Sequence, residues 1–293
     1  MNVAFDAQRL DAVGNTFDRW TGSQPELAAV AVSGPGAIEA IRALQNAGCQ
    51  PRRSVDLIQF TSAEPAGFGI GCLGSRLLSG AMPAWKAARL TGADGKTFDE
   101  WRAEAGFEGP LESVAVPAGH YAAFVELSAG PDQRPGIATG FAASAGLRVT
   151  VEGEGAEDAI GEIAGAVHGL ADCVPGRARL EFHVEDTDQA KRDEKVSRIA
   201  TVCRDTAQRR RIAVKAEVLH MDPAAECGAE VVDALERGAA SQSLGYQRMV
   251  ARGCHDAQFL SRIAPAGMLV IPSPADGANG TLVLAEALAE LAG

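Results

Sequence analysis

The chain has 293 residues, 46% apolar and 22% charged, enough for one large domain or two moderate ones and typical of a globular protein rather than a fibrous or disordered one. A formal net charge of −11 excludes a surface built for nucleic acid or anionic membrane, which needs clustered Lys and Arg. The six cysteines are scattered with no CxxC pair, and neither a bilayer-length apolar run nor a secretory leader is found, so a cytoplasmic protein with reduced thiols is expected.

In chain order, 27–32 is a short apolar run that predicts a strand. Residues 37–47 place Ile38, Ile41 and Leu44 on one helical face before Gly48, a natural helix stop. A buried strand at 54–61 runs into the stretch FTSAEPAGFGIGCLGSR, where a carboxylate, a proline and a glycine-rich turn precede a helix-prone 73–78. Strand ends of this kind are where α/β proteins place chemistry. A short helix at 97–105 and a strand at 121–127 continue the alternation, which predicts a parallel or mixed sheet with helices on its faces.

The rhythm changes near residue 144, with strands at 147–151, 178–184 and 213–219 and helices at 156–170 and 187–210. The long helix carries Val196, Ile199, Val202 and Cys203 on one face and ends in Arg209, Arg210 and Arg211, a solvated last turn opposing the helix dipole. A helix from about 223, a strand at 267–271 and a last helix ending at 291 return to the first pattern. The expected fold class is therefore α/β: one sheet domain, 1–143 plus 225–293, with a smaller α+β domain, 144–224, inserted into it.

The segments VGNTFDRW (13–20), AIEAIRALQNAG (37–48), PRRSVDLIQFTSAEP (51–65), FGIGCLGSRLLSG (68–80), YAAFVEL (121–127), LRVTVEGEG (147–155) and HDAQFLSRIAPAGMLVIP (255–272) carry a family resemblance. Together they resemble the amidohydrolases that act on allantoate, ureidoglycolate and N-carbamoyl-L-amino acids, a branch of the dinuclear-metal aminoacylase and carboxypeptidase peptidases. The resemblance runs in order over nearly the whole chain. It implies a zinc-peptidase-like α/β domain interrupted by a dimerisation-type domain, two divalent ions that activate a water, and a carboxylate base beside them.

The sequence departs from that pattern where the resemblance places the chemistry. Ser33-Gly34-Pro35-Gly36 holds no His or Asp in place of a His-x-Asp segment, and Ala63 stands where the family's proton acceptor belongs, leaving Glu64 of a Glu-Glu pair. Ser128-Ala129-Gly130-Pro131 replaces a histidine-bearing stretch, residues 273–280 lack a late His, and EGEGAEDAIGEI lacks the histidine and arginine that follow EGEG in the family. One carboxylate cannot hold two zinc ions. The sequence therefore predicts no metal cofactor and no catalytic residue, only vestigial candidates in Glu64, His255 and Asp256.

Those residues have bland readings as well. His255 and Asp256 keep the place of a His-Asp pair, yet fit a helix N-cap or a core histidine. Arg76 suits bidentate binding of a small carboxylate ligand, or an ion pair with Glu64. Cys72 or Cys254 paired with His255 is a further, thiol-based option. His120, His168, His183 and His220 show no ligand spacing and read as structural or exposed. The expectation is a catalytically inactive, amidohydrolase-like pseudoenzyme serving as a binding, scaffolding or regulatory subunit, a homodimer or the partner of another protein. The alternative is a hydrolase of ureido, N-carbamoyl or N-acyl C–N bonds with a rebuilt site.

Overall fold

The protein is described from a computed structural model, which covers residues 9–62, 65, 67–92, 94–130, 134–170, 172–175, 179–272 and 277–293. Among these the chain order is β1 (Arg9–Leu10), β2 (Thr16–Trp20), β3 (Ala29–Ser33), α1 (Ala37–Asn46), β4 (Val55–Gln59), α2 (Leu73–Leu78), α3 (Ala84–Ala88), α4 (Phe98–Glu104), β5 (Tyr121–Ala129) and β6 (Gly136–Phe141). It continues through β7 (Ala143–Glu152), α5 (Ala156–Ala166), β8 (Asp172–Pro175), β9 (Arg179–Asp186), α6 (Gln189–Arg210) and β10 (Ala213–Asp222). It closes with β11 (Ala225–Glu226), α7 (Ala229–Ser241), β12 (Gln247–Ala251), α8 (Asp256–Leu260), β13 (Ala266–Ile271) and α9 (Gly277–Ala292). The fold is mixed α/β, and its chain divides into two compact units, Met1–Gly140 with Glu226–Gly293, and Phe141–Ala225.

In the larger unit the strand order is β1-β2-β4-β3-β5-β13-β6-β11, with β12 on β6. The inner strands β4, β3, β5 and β13 run parallel, and β2 and β6 flank them antiparallel. All five residues of β3 are buried, as expected of a strand covered on both faces. Successive side chains of a strand point to opposite faces. Val125 and Leu127 of β5 join Val30, Val32, Leu269 and Ile271 in an apolar core with α1, α7 and α9, which sends Phe124 and Glu126 to the other face. That second face carries polar groups: Asp56 of β4, nearly buried, accepts two hydrogen bonds from Arg19 of β2 at 2.6 and 2.7 Å.

The smaller unit is an antiparallel sheet of order β10-β7-β9-β8. Leu147, Val149, Val151, Leu180, Phe182 and Val184 alternate toward α5 and α6, meeting Val196, Ile199 and Cys203. Arg209 and Arg210 both pair with Glu162, the latter at 2.6 Å. On the opposite face His183 contacts Glu185 at 2.6 Å and His220 contacts Asp222 at 2.7 Å. Gly146 is required there, because a Cβ would lie 2.5 Å from the His220 ring.

The structure corrects several sequence expectations. The strand expected at 213–219 runs on to Asp222 through an irregularity between Val218 and His220, and the helix expected from about 223 begins at Ala229. Strands β2, β6 and β12 were not expected. In β2 the charged pair Asp18-Arg19 masks the apolar alternation, and Arg19 is accommodated because Asp56 faces it across the ladder.

Candidate active site

Four parts of the chain bring polar side chains together on the second face of the large sheet. The first is the β4-to-α2 stretch. Fully buried Asn15 accepts from the backbone N–H of Thr61 at 2.9 Å and lies 3.4 Å from the Gly74 carbonyl. It pins the end of β4 to the first turn of α2, and a Cβ on Gly74 would come within 2.1 Å of its side-chain oxygen. Cys72, the N-cap of α2, is held at φ 55°, ψ 35°, a left-handed conformation that costs a non-glycine residue about 1–3 kcal/mol and persists only where its surroundings enforce it.

The second contribution is Arg76, four residues on and 2% exposed. Its Nε donates to the Gly71 carbonyl at 2.8 Å, its Cζ lies 4.1 Å from the centre of the Phe259 ring, and its Nη2 lies 4.0 Å from Cys254 Sγ. A buried guanidinium is tolerated only where it is hydrogen-bonded or stacked in this way. Glu126 of β5 is the third contribution. It accepts from the backbone N–H of Ala257 at 2.8 Å and faces His255 Nδ1 at 3.5 Å.

The segment leading into α8 completes the cluster. His255 occupies the N-cap position but makes no side-chain cap; its Nε2 lies 2.8 Å from the Arg252 carbonyl. Burial alone lowers its pKa, but Glu126, the Arg252 carbonyl and Cys254 outweigh that effect and raise it to about 9. Both ring nitrogens face acceptors, so the imidazolium is the favoured form. Asp256 goes the other way. Burial, reinforced by Glu126, pushes its carboxyl to about 7 against hydrogen bonds from Ser75 and Cys72, and its Oδ1 is buried without a hydrogen-bond partner among the described residues. A carboxyl titrating near neutrality beside a persistent cation is suited to moving a proton at physiological pH.

Of the residues singled out from the sequence, the structure brings Arg76, His255, Asp256, Cys72 and Cys254 into this one cluster. Glu64, and Ala63 beside it, lie outside the described residues, as do Pro131 and 273–276, so the ion pair expected between Arg76 and Glu64 has no described geometry. Sequence reasoning missed Asn15, Ser75 and Glu126. A glutamate inside the otherwise apolar YAAFVEL strand was the available signal, since a charge there must have a buried partner.

The shortened loops have a visible consequence. Between β3 and α1, Gly34 and Gly36 adopt φ of 101° and 82°, and a Cβ on Gly34 would lie 1.9 Å from the Leu127 carbonyl oxygen. The turn is pressed against β5, with no room for a longer side chain. At this end of the parallel strands an open cavity of about 560 Å³ is lined by Pro35, Gly36, Ala129, Ile271 and Leu282, with Glu39 as the one ionisable group among the described residues that line it. Its described lining is mainly apolar and shares no residue with the polar cluster. Among the described residues no three His, Cys, Asp or Glu side chains are grouped so as to hold a metal ion. The described residues therefore do not fit the dinuclear centre that the family resemblance implies.

No family model matches the chain. It is 32% identical to the ureidoglycolate hydrolase of Arabidopsis thaliana over 97% of its own length and 76% of that protein, and 32% identical to the rice enzyme of the same name over 97% and 74%. The Arabidopsis alignment spans 364 residues against the 293 of this chain, so the relative carries segments that this chain lacks. Crystal structures of AtUAH in complex with (S)-hydroxyglycine and with glyoxylate superpose with a TM-score of 0.86 at 30% and 29% identity, covering 98% of this chain and 86% of that one. A hydantoinase/carbamoylase-family amidase from Burkholderia vietnamiensis shares the fold at a TM-score of 0.83 and 19% identity, with 98% and 86% of the two chains covered.

These relatives overturn the expectation of an inactive subunit acting through protein contacts, and the hydrolase alternative accords with them. The expectation rested on loops that have lost His and Asp. It overlooked a face of the sheet where buried Arg76 and Glu126 and half-buried His255 and Asp256 are kept together despite the desolvation cost of each.

Proposed function

Because the chain belongs to the family of ureidoglycolate hydrolases and N-carbamoyl-L-amino-acid amidohydrolases, we propose that it hydrolyses a C–N bond of a ureido or N-carbamoyl amino acid compound at the Arg76, Glu126, His255, Asp256 cluster. The observation that carries this reading is the whole-length likeness to plant ureidoglycolate hydrolases. The bound (S)-hydroxyglycine of the related crystal structure supplies the substrate class, a small α-substituted carboxylate.

In this reading the positive charges of Arg76 and of the His255 imidazolium draw the substrate carboxylate toward the cluster. Glu126 holds the His255 ring in place and keeps it protonated. Asp256, poised near 7, takes a proton from the attacking water and returns it to the leaving nitrogen. No step is routed through a metal or other cofactor.

The proposal extends to a homodimer. The sheet of the smaller unit ends in edge strands β10 and β8, and β10 exposes Val218 and Met221, the kind of edge that a second copy covers. No helix among the described residues is long and apolar enough to cross a membrane, and a cytoplasmic location is part of the proposal.

The test is ammonia release from ureidoglycolate and a panel of N-carbamoyl-L-amino acids by the purified full chain, with and without added manganese or zinc. Turnover abolished by Asp256→Asn supports the reading. No turnover on any substrate under either condition overturns it.

A further inference from the structure

A histidine that ligates a metal ion protonates one ring nitrogen and binds through the lone pair of the other. His255, the imidazole of the polar cluster, has both nitrogens turned to acceptors, Nε2 to the Arg252 carbonyl at 2.8 Å and Nδ1 to Glu126 at 3.5 Å. Both therefore carry protons, and no lone pair faces a metal. The other four histidines have different surroundings. His120 is exposed before β5, about 20 Å along the strand from Glu126, with its ring edge-on to Tyr121. His168 is exposed after α5, and His183 and His220 contact Glu185 and Asp222 at 2.6 and 2.7 Å.

The loops do not make up the deficit. The turn after β3 is closed to a ligand side chain, since a Cβ on Gly34 would lie 1.9 Å from the Leu127 carbonyl oxygen. The segments 63–64, 131–133 and 273–276, which follow β4, β5 and β13 in sequence, contain Glu64, Asp132 and Asp276 but no His or Cys. What the cluster does hold is positive charge. The guanidinium of Arg76, 2% exposed, and the doubly protonated His255 ring stand against the Glu126 carboxylate. Two fixed cations repel a divalent ion and attract an anion.

From this donor set we propose that the cluster works without a divalent metal, and that Arg76 and His255 supply the positive charge in place of the two ions that the family resemblance implies. The inference rests on the hydrolysis proposed above and names what replaces the metal in it. A metal centre would lower the pKa of a bound water and neutralise the oxyanion formed as water adds to a carbonyl. The second task falls here to fixed cations of the protein, which stabilise a developing oxyanion where water is excluded. The atoms balance with substrate and one water. The water oxygen bonds to the carbonyl carbon, the C–N bond breaks, and the proton of the water ends on the leaving nitrogen.

The experiment purifies the full chain without chelators and measures its zinc, manganese, cobalt, nickel and iron by elemental analysis. It then follows the thermal midpoint and ammonia release from ureidoglycolate with EDTA, with added zinc and with added manganese. The expected metal content is less than about a tenth of an ion per chain. The midpoint should not move with EDTA or either ion, because only a ligand of the folded state shifts it, and turnover should persist in EDTA. His255→Gln, checked for folding by circular dichroism, should lower kcat in EDTA by about tenfold or more. A stoichiometric ion, or a midpoint that EDTA lowers and zinc or manganese restores, would overturn the inference whatever the turnover. Turnover that appears only with added metal overturns it too and leaves the proposed hydrolysis standing, whereas no turnover under any condition removes both. Unchanged kcat in folded His255→Gln would overturn the role given to that charge.

Discussion

The two faces of the large sheet are built from the same strands and obey opposite rules. On one, Val30, Val32, Val125, Leu127, Leu269 and Ile271 meet α1, α7 and α9 in an uninterrupted apolar core. On the other, one residue along each strand, stand Asp56, Glu126 and Ser33, with Arg76, His255 and Asp256 brought in from α2 and the segment entering α8. The apolar face gains by burying area and is indifferent to detail. The polar face pays for each charge in desolvation and holds only because every charge has a defined neighbour. Stability alone does not account for such a face, which is why the proposed reaction is placed on it.

Asp256→Asn tests that contrast with the largest expected effect. It keeps shape and burial but removes the proton acceptor, and it should lower kcat/KM on a ureido substrate by about 10²–10⁴ while leaving the thermal midpoint near that of the parent. Unchanged turnover would make the polar face structural.

Neighbouring residues of β5 then separate the faces by stability. Glu126→Ala leaves the His255 cation and the Ala257 N–H without their carboxylate and should cost about 3–5 kcal/mol, the range for breaking a buried pair. Leu127→Ala, on the apolar face, should cost about 2–5 kcal/mol through its cavity. The discriminating readout is the His255 ring titration by NMR. Glu126→Ala should bring it down from about 9, and Leu127→Ala should leave it in place. If both variants shift it alike, the faces are coupled rather than distinct.

The apolar face was legible in the sequence because it is written in periodicity. The 37–47 helix pattern, the runs at 27–32 and 267–271 and the final helix all fall on elements that build it. The polar face is written in pairings between distant residues, which periodicity does not encode. Arg19 and Asp56 conceal β2 until their strands are seen side by side. His255 looks like an N-cap until Glu126, 129 positions earlier, is found beside it. The same gap explains the inactive-subunit reading, since missing loop histidines can be read locally and a cluster assembled by α2, β5 and α8 cannot.

The polar face should also make stability depend on pH. His255 is held at about 9 against an ordinary 6.5, and Asp256 at about 7 against 3.8, so the folded chain keeps protons that the unfolded chain releases. The His255 contribution is fully present below about pH 6.5 and is lost as pH rises through 9. Protonated Asp256 likewise stabilises below about pH 4, and that contribution is lost as pH rises through 7. Denaturant midpoints should therefore fall between pH 4 and 9, with a contribution on the order of 3–4 kcal/mol from each group. Glu126→Gln should flatten the upper half of that fall, because the imidazolium loses its counter-charge. A profile that rises with pH would contradict the assignment.

Ser33 offers the smallest and most local test. It ends β3 on the polar face, level with Glu126 in the β3–β5 register, and its hydroxyl is buried with no hydrogen-bond partner among the described residues. A buried hydroxyl left unsatisfied costs free energy that alanine does not incur, while the carbon skeleton still fills the space. Ser33→Ala should therefore be neutral or stabilising by about 1 kcal/mol in chemical denaturation, the reverse of what a serine in a working hydrogen-bond network shows. A loss of more than about 1 kcal/mol would mean that the hydroxyl is engaged in the folded protein, extending the polar face to the end of β3.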